Sequence, residues 1–256
     1  MIAVSEIINI AREAGKAILD VYHDPELSAQ VDLKDDNSPL TLADKASHKV
    51  IAQRLAEKFP DIPVISEEGA NIPYAERNEF EIFWLVDPLD GTKEFIHRNG
   101  DFTVNIALIE NNYPVAGVVY VPVTDEVYYG EGDKAVKIRG EDESEINVSG
   151  RSGERTAVRS RSHASPEEEE VLNRYSVSNT ISRGSALKFC VVAEGAADLY
   201  YRHGPTMEWD TAAGQAVLEA AGGFLYVGNK PGERFSYNKE SLLNPGFLAL
   251  GFPPDQ

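Results

Sequence analysis

The stretch Glu81–Thr92 reads "EIFWLVDPLDGT". Its first half is an apolar, strand-like run. Its second half sets two aspartates three positions apart around Pro88 and ends on Gly91 and Thr92. Proline cannot donate to a strand ladder, so the chain is expected to leave the strand at Pro88. Such a turn brings Asp87 and Asp90 to one point and lets the Leu89 carbonyl face it. Two carboxylates and a backbone oxygen suit a hard cation such as Mg²⁺. Gly91 and Thr92 add amide donors and room for a phosphate. By spacing alone the stretch is equally an ordinary polar turn with aspartate as turn former. The i, i+3 spacing separates it from the i, i+2 pair of haloacid dehalogenase-type phosphatases.

Outward from this stretch, elements alternate irregularly. Toward the N-terminus, Val4, Ile7, Ile8, Ala11, Ala14, Ile18 and Leu19 recur at helical spacing, and "HDPE" stops the helix. "AQVDLK" (29–34) predicts a strand. A second helix opens in "SPLTLADKAS" (38–47), with Leu42, Ala46, Val50, Ile51, Leu55 and Phe59 expected on one face. Thr41 and Asp44 match a capping box there. Toward the C-terminus, "FTVNIALIE" and "YPVAGVVYVP" flank "NNYP" as a hairpin. "VYYG" and "AVKIR" predict further strands. The polar, turn-rich "SGRSGE" (149–154) marks a boundary between an N-terminal α+β lobe, 1–150, and a C-terminal lobe, 151–256. In the second lobe "RTAVRSR" predicts a strand, and "SPEEEEVLNRY" a helix with Pro166 at its first position. "GSALKFCVVAEGAADLYY" predicts a helix running into a strand, "EWDTAAGQAVLEAAGG" a helix, and "GFLALG" a last strand. Without strict βαβ alternation this is an α+β fold.

The chain has 256 residues, 24 basic and 42 acidic, for a net charge of −18. That balance argues against a nucleic-acid partner, which calls for a basic surface. It leaves room for a small anionic ligand held by local cations. Acidic runs such as "EDESE" and "EEEE" read as solvated surface. A single cysteine, Cys190, excludes an internal disulfide. No window approaches the length of a membrane span, and the N-terminus lacks the pattern of a signal peptide. Gly15-Lys16 lies inside a helix without the flanking residues of a P-loop.

Further acids join the central pair. Glu67 and Glu68 follow a short strand in "VISEEGA". Asp210 opens a helix, where the helix dipole favours an acid. A cluster of this size calls for cations, and two Mg²⁺ would also neutralise a phosphate.

"WLVDPLDGT" and "EWDTAAG" resemble the two signatures of the inositol monophosphatase-like, Mg²⁺-dependent, lithium-sensitive phosphatase superfamily. "SPLTLADKAS" and "ISEEG" resemble its two upstream motifs, in the expected order. Within it, "GSALKFCVVAEGAADLYYRHGPTMEWDTAAGQ" resembles the bacterial 3′(2′),5′-bisphosphate nucleotidases. Those enzymes convert adenosine 3′,5′-bisphosphate (PAP) to AMP and phosphate; many also act on the sulfated precursor PAPS, and they serve sulfate assimilation. An inositol or other sugar phosphatase of the same superfamily is the alternative.

The resemblance implies a layered αβαβα sandwich of two lobes. It implies two or three Mg²⁺ per site, held by Glu67, Asp87, the Leu89 carbonyl, Asp90 and Asp210. Asp44 and Thr92 would be the catalytic pair that orients and activates the attacking water, which gives Asp44 a role besides its cap. Glu67, Leu89, Asp90, Gly91, Thr92 and Asp210 would contact the substrate, with the Gly91 and Thr92 amides on the scissile phosphate. His163, Ser185, Lys188 and Arg202 would bind the nucleotide, and Lys93 would neighbour the phosphate. Many relatives carry a second serine where Ala186 stands, so one polar contact is expected to be missing. A monomer or homodimer in the cytoplasm is implied, some relatives being loosely attached to the inner membrane.

Overall fold

The computed structural model describes residues 4–33, 39–160 and 165–254. The chain opens with α1 (Val4–Tyr22), whose Ile7, Ala11, Ala14 and Ile18 form a buried stripe. Asp24 caps the one-turn α2 (Pro25–Ser28), its carboxylate accepting from Glu26 N and Leu27 N. The antiparallel pair β1 (Val31–Leu33) and β2 (Pro39–Thr41) precedes α3 (Leu42–Lys58). Next come β3 (Val64–Ser66), α4 (Tyr74–Arg77), β4 (Ile82–Asp90) and α5 (Thr92–Ile96). A meander follows: β5 (Thr103–Glu110), β6 (Tyr113–Val121), β7 (Glu126–Glu131), β8 (Lys134–Arg139) and β9 (Asp142–Glu145). The rest is β10 (Arg155–Arg159), α6 (Pro166–Arg174), β11 (Val177–Ser182), α7 (Leu187–Ala193), β12 (Leu199–Arg202), α8 (Glu208–Ala220), β13 (Phe224–Val227) and β14 (Phe247–Leu250).

Strands β3 to β9 form a seven-stranded sheet in sequence order. Strands β11-β10-β12-β14-β13 form a five-stranded one. Strand β4 shows the period of two: Trp84 and Val86 join α1 and α3 on the outer face, while Phe83 and Leu85 face inward. The inward side meets Val192 of α7, Val217 and Leu218 of α8, and Phe247 of the second sheet. On the far side of that sheet, Val171 and Leu172 of α6 pack against Leu199 and Leu248. The layers therefore run α-β-α-β-α, the α+β sandwich expected.

The hairpin β5–β6 turns on Asn111 and Asn112, both at positive φ. That is the backbone a two-residue turn needs to match strand twist, and asparagine tolerates it. Two expectations change. Ile51 and Leu55 are buried on α3 as expected, and Leu42, Val50 and Phe59 pack half-buried against the same core, but the most buried stripe also takes in Ala43 and Ser47. Counting apolar residues misses Ser47 because the helix turns a polar group inward; its Oγ donates to Pro88 O at 2.7 Å. The run "EDESE" is exposed, as expected, and also contains β9, an edge strand paired with β8, whose charges blunt that edge. The second change concerns Pro88. Strand β4 runs through it to Asp90, with a bulge: Asp87 pairs with Asn105 and Asp90 with Thr103. Strand β3 pairs with β4 only as far as Val86. Past that point one side of β4 has no ladder to break, so proline is tolerated, and the bulge re-aims the side chains after it.

Helix α8 sits unusually close to the large sheet. Gly117 and Gly130 are partners across β6 and β7. A Cβ on Gly117 would stand 2.6 Å from Ala216 Cβ and 2.8 Å from Ala213 O. One on Gly130 would stand 2.5 Å from Ala216 O. Gly117→Val is therefore expected to destabilise the fold by about 1–3 kcal/mol through overpacking. Chemical denaturation measures it; an unchanged midpoint would show that the helix can lift without cost.

Candidate active site

The end of β4, the start of α5, the start of α8 and the segment before α7 meet at one place. Asp87 is buried, and its Oδ1 accepts from Leu89 N at 3.0 Å. Asp90 Oδ2 accepts from Ala186 N at 2.6 Å and from Asn105 Nδ2 at 3.4 Å. Gly91 follows at φ +91°, and a Cβ there would collide with Ser185 Oγ. The position demands glycine both for its backbone and for its room. Thr92 begins α5, and its Oγ1 donates to Asp44 Oδ1 at 3.3 Å. The other oxygen of Asp44 accepts from Thr41 N at 2.7 Å and Thr41 Oγ1 at 2.6 Å. Asp44 thus caps α3 and reaches Thr92 at once. In α8, Asp210 Oδ2 accepts from Met207 N at 2.8 Å.

Glu67, Asp87, Leu89, Asp90, Gly91, Thr92, Lys93 and Asp210 line one cavity of about 450 Å³. Ser185, Lys188 and Arg202 line a second, of about 160 Å³, whose wall also includes Asp90, Gly91 and Asp210. His163 lies outside the described residues. Lys188 is buried and spends one donor on Ser185 O, at 2.7 Å. Ser185, at φ +49°, donates to Asp90 O at 2.9 Å and Asp101 O at 2.7 Å. Ala186 supplies no side-chain polar contact, but its amide holds Asp90.

The electrostatics are those of acids crowded out of water. Burial pushes the Asp87 carboxyl well above its usual range, and the charges of Glu67, Asp90 and Asp210 add to it. Burial likewise lifts Asp210, with Asp90 adding to it. Asp90 is pushed up to about 6 by burial, against the pull of Lys188 and the Ala186 amide. Lys188 is pulled down to about 8 by burial, in spite of Asp90. Among the described residues no three His, Cys, Asp or Glu side chains form a ready-made metal cluster. The donor set nevertheless fits a hard divalent ion: oxygen only, and mutually destabilised until positive charge enters. Among the described residues no helix is long and apolar enough to cross a membrane.

Sequence reading misses several wall residues. Glu94, Pro205 and Thr206 line both cavities, while Met207, Trp209 and Leu243 line the larger. Asp101 fastens Gly184, whose amide donates to its Oδ2 at 2.9 Å. The proximity of Glu94 to the "DGT" turn was the available signal for that residue. Nothing local marks Asp101 or Leu243, which tertiary packing brings in.

The chain belongs to the inositol monophosphatase family, whose model matches residues 3–246. It is 47% identical over 245 residues to the 3′(2′),5′-bisphosphate nucleotidase CysQ of Salmonella typhimurium LT2, covering 95% of this chain and 98% of that protein. The CysQ of Escherichia coli K12 matches equally, at 47% over the same shares. The crystal structure of CysQ from Bacteroides thetaiotaomicron superposes with a TM-score of 0.85 at 44% identity, covering 97% of each chain.

Proposed function

We propose that this protein is a Mg²⁺-dependent 3′(2′),5′-bisphosphate nucleotidase that hydrolyses PAP to AMP and phosphate, with PAPS as a second substrate. The observation that carries this is the join between the two cavities. An acid-lined chamber suited to metal and one phosphate shares a wall with a chamber lined by Lys188 and Arg202. A ligand with two phosphates fits that polarity; a simple monophosphate leaves the lysine chamber without a phosphate, Lys188 facing only the protein's own acids. The CysQ relatives support the same substrate class. The role is PAP recycling in sulfate assimilation, in the cytoplasm.

In this reading Glu67, Asp87, Asp90, Asp210 and the Leu89 carbonyl hold two or three Mg²⁺. The bound ions supply positive charge for the phosphate and acidify water. The Gly91 and Thr92 amides hold the scissile phosphate. Asp44 fixes the Thr92 hydroxyl, so that the hydroxyl oxygen faces the attacking water and the carboxylate takes up its proton. Ser185, Lys188 and Arg202, with His163, bind the remaining phosphate and nucleoside. The site lies between lobes 1–150 and 151–256, with Asp210 contributed by the second.

Phosphate release from PAP, PAPS, inositol 1-phosphate and fructose 1,6-bisphosphate tests the assignment. PAP should have the highest kcat/KM. A clear preference for either sugar phosphate would overturn the nucleotidase reading and leave the family chemistry intact.

Asp44 sets the acid limb. Burial raises its carboxyl to about 6, with Glu68 and Glu67 adding to the rise and the Thr41 hydrogen bonds opposing it. A base must be ionised, so kcat/KM should fall with a slope of one on the acid side of the profile. A pH–rate profile of the wild type and of the residual activity of Asp44→Asn, at saturating Mg²⁺, reads this. An acid limb that persists unchanged in the variant would remove Asp44 from the base role.

A further inference from the structure

Resting on the nucleotidase reading, one wall residue gains a specific task. Four side chains that carry an acceptor line both cavities: Asp90, Glu94, Thr206 and Asp210. Asp90 and Asp210 belong to the proposed metal set. The Thr206 hydroxyl accepts from Asn244 Nδ2 at 3.2 Å. Among the carboxylates, Glu94 is the one that lies outside the metal set.

Its position is fixed. Helix α5 closes around it through Phe95 N to Gly91 O at 2.9 Å and Asn99 N to Glu94 O at 3.2 Å. Its Oε2 lies 3.3 Å from where a Cβ on Gly91 would stand, and its Cγ lies 2.8 Å from the same point on Gly184. The half-buried carboxylate therefore stands at the seam, between the Gly91–Thr92 amides and the chamber of Lys188.

Its charge acts on Lys188 across that chamber, and a carboxylate that faces no hydrogen-bond donor of the ligand repels a molecule with two phosphates. In a nucleoside 3′,5′-bisphosphate the group between the phosphates is the ribose. Beside the 3′-phosphate it carries one free hydroxyl, at the 2′ position. We propose that Glu94 accepts a hydrogen bond from the substrate 2′-hydroxyl and makes the enzyme select ribose over deoxyribose. A hydroxyl-to-carboxylate bond is worth about tenfold or more in discrimination, because the analogue without the hydroxyl leaves the carboxylate unpaired.

The test compares kcat/KM for PAP and for 2′-deoxyadenosine 3′,5′-bisphosphate in the wild type, Glu94→Ala and Glu94→Gln. The wild type should favour PAP by about tenfold or more. Glu94→Ala should bring the ratio close to one, the loss falling mainly on PAP. Glu94→Gln should lie between, since an amide oxygen still accepts. A fold defect lowers both substrates together and leaves the ratio intact, so an unchanged ratio in both variants overturns the proposal. A wild type that hydrolyses both bisphosphates alike overturns it too, while leaving the nucleotidase reading in place. Turnover of inositol 1-phosphate with neither bisphosphate used would sink both.

Discussion

Asp90→Asn is expected to lower kcat/KM for PAP by at least about 1,000-fold, the scale of removing one charged metal ligand. The substitution keeps the shape of the side chain, and its amide oxygen can still accept from Ala186 N. What is lost is a charge at the point where β4, α5 and the segment before α7 meet. In metal-free protein the same change should raise thermal stability at pH 7. Burial lifts the Asp90 carboxyl to about 6, so its ionised form is disfavoured in the fold. A raised carboxyl makes the folded state bind the extra proton, and stability then falls as pH rises from about 4 to about 6. The stabilisation by asparagine should therefore be present at pH 7 and absent near pH 4. Phosphate release and thermal melts in chelator at the two pH values read both halves. A variant that keeps activity would remove Asp90 from the metal set. One that melts lower at pH 7 would mean that its pairing with Lys188 outweighs its desolvation.

The second large effect is expected from Lys188→Met. Methionine fills the same buried volume without charge. PAP turnover should fall by an order of 100-fold in kcat/KM, the size of a charge-assisted contact to phosphate. Inositol 1-phosphate, which has no second phosphate, should be little affected. Burial brings the Lys188 ammonium down to about 8, so the KM for PAP should rise above pH 8 in the wild type and stay flat in the variant. The sign for stability is opposite: a lysine whose folded value lies below its unfolded one makes the fold more stable as pH climbs from about 8 to about 10.5. Equal losses on both substrates would place Lys188 in the scaffold and not in the second-phosphate chamber.

Much of this architecture is legible in the residues. The hairpin on Asn111-Asn112 and the helix from Glu208 announce themselves by periodicity and turn chemistry. What stays hidden is set by distant partners. Pro88 reads as the end of a strand, because only the early end of β3 explains why the strand tolerates it. On α3, apolar spacing finds Ile51 and Leu55 and misses Ser47, which a carbonyl of β4 draws inward. Strands β11 and β13 escape notice because "VSNTIS" and "FLYV" offer little alternation or are short. At the site, the acids are visible singly by position. Their gathering in one cavity, and the fastening of Asp90 by the Ala186 amide, depend on chain crossings that spacing does not encode. Glu94 shows the limit from the other side: it adjoins the most informative stretch of the chain, yet only the cavity walls single it out.

The seat of α8 on Gly117 and Gly130 has a consequence for how the molecule comes apart. The helix begins beyond the polar break near Gly150, yet it packs on β5, β6 and β7 as well as on β13. The two sheets therefore share a common inner layer. Trp84 lies wholly in the outer layer beside α1 and α3, while Trp209 packs against the inner one. Denaturant should expose both indoles in a single cooperative step, because neither half keeps a closed core once α8 leaves.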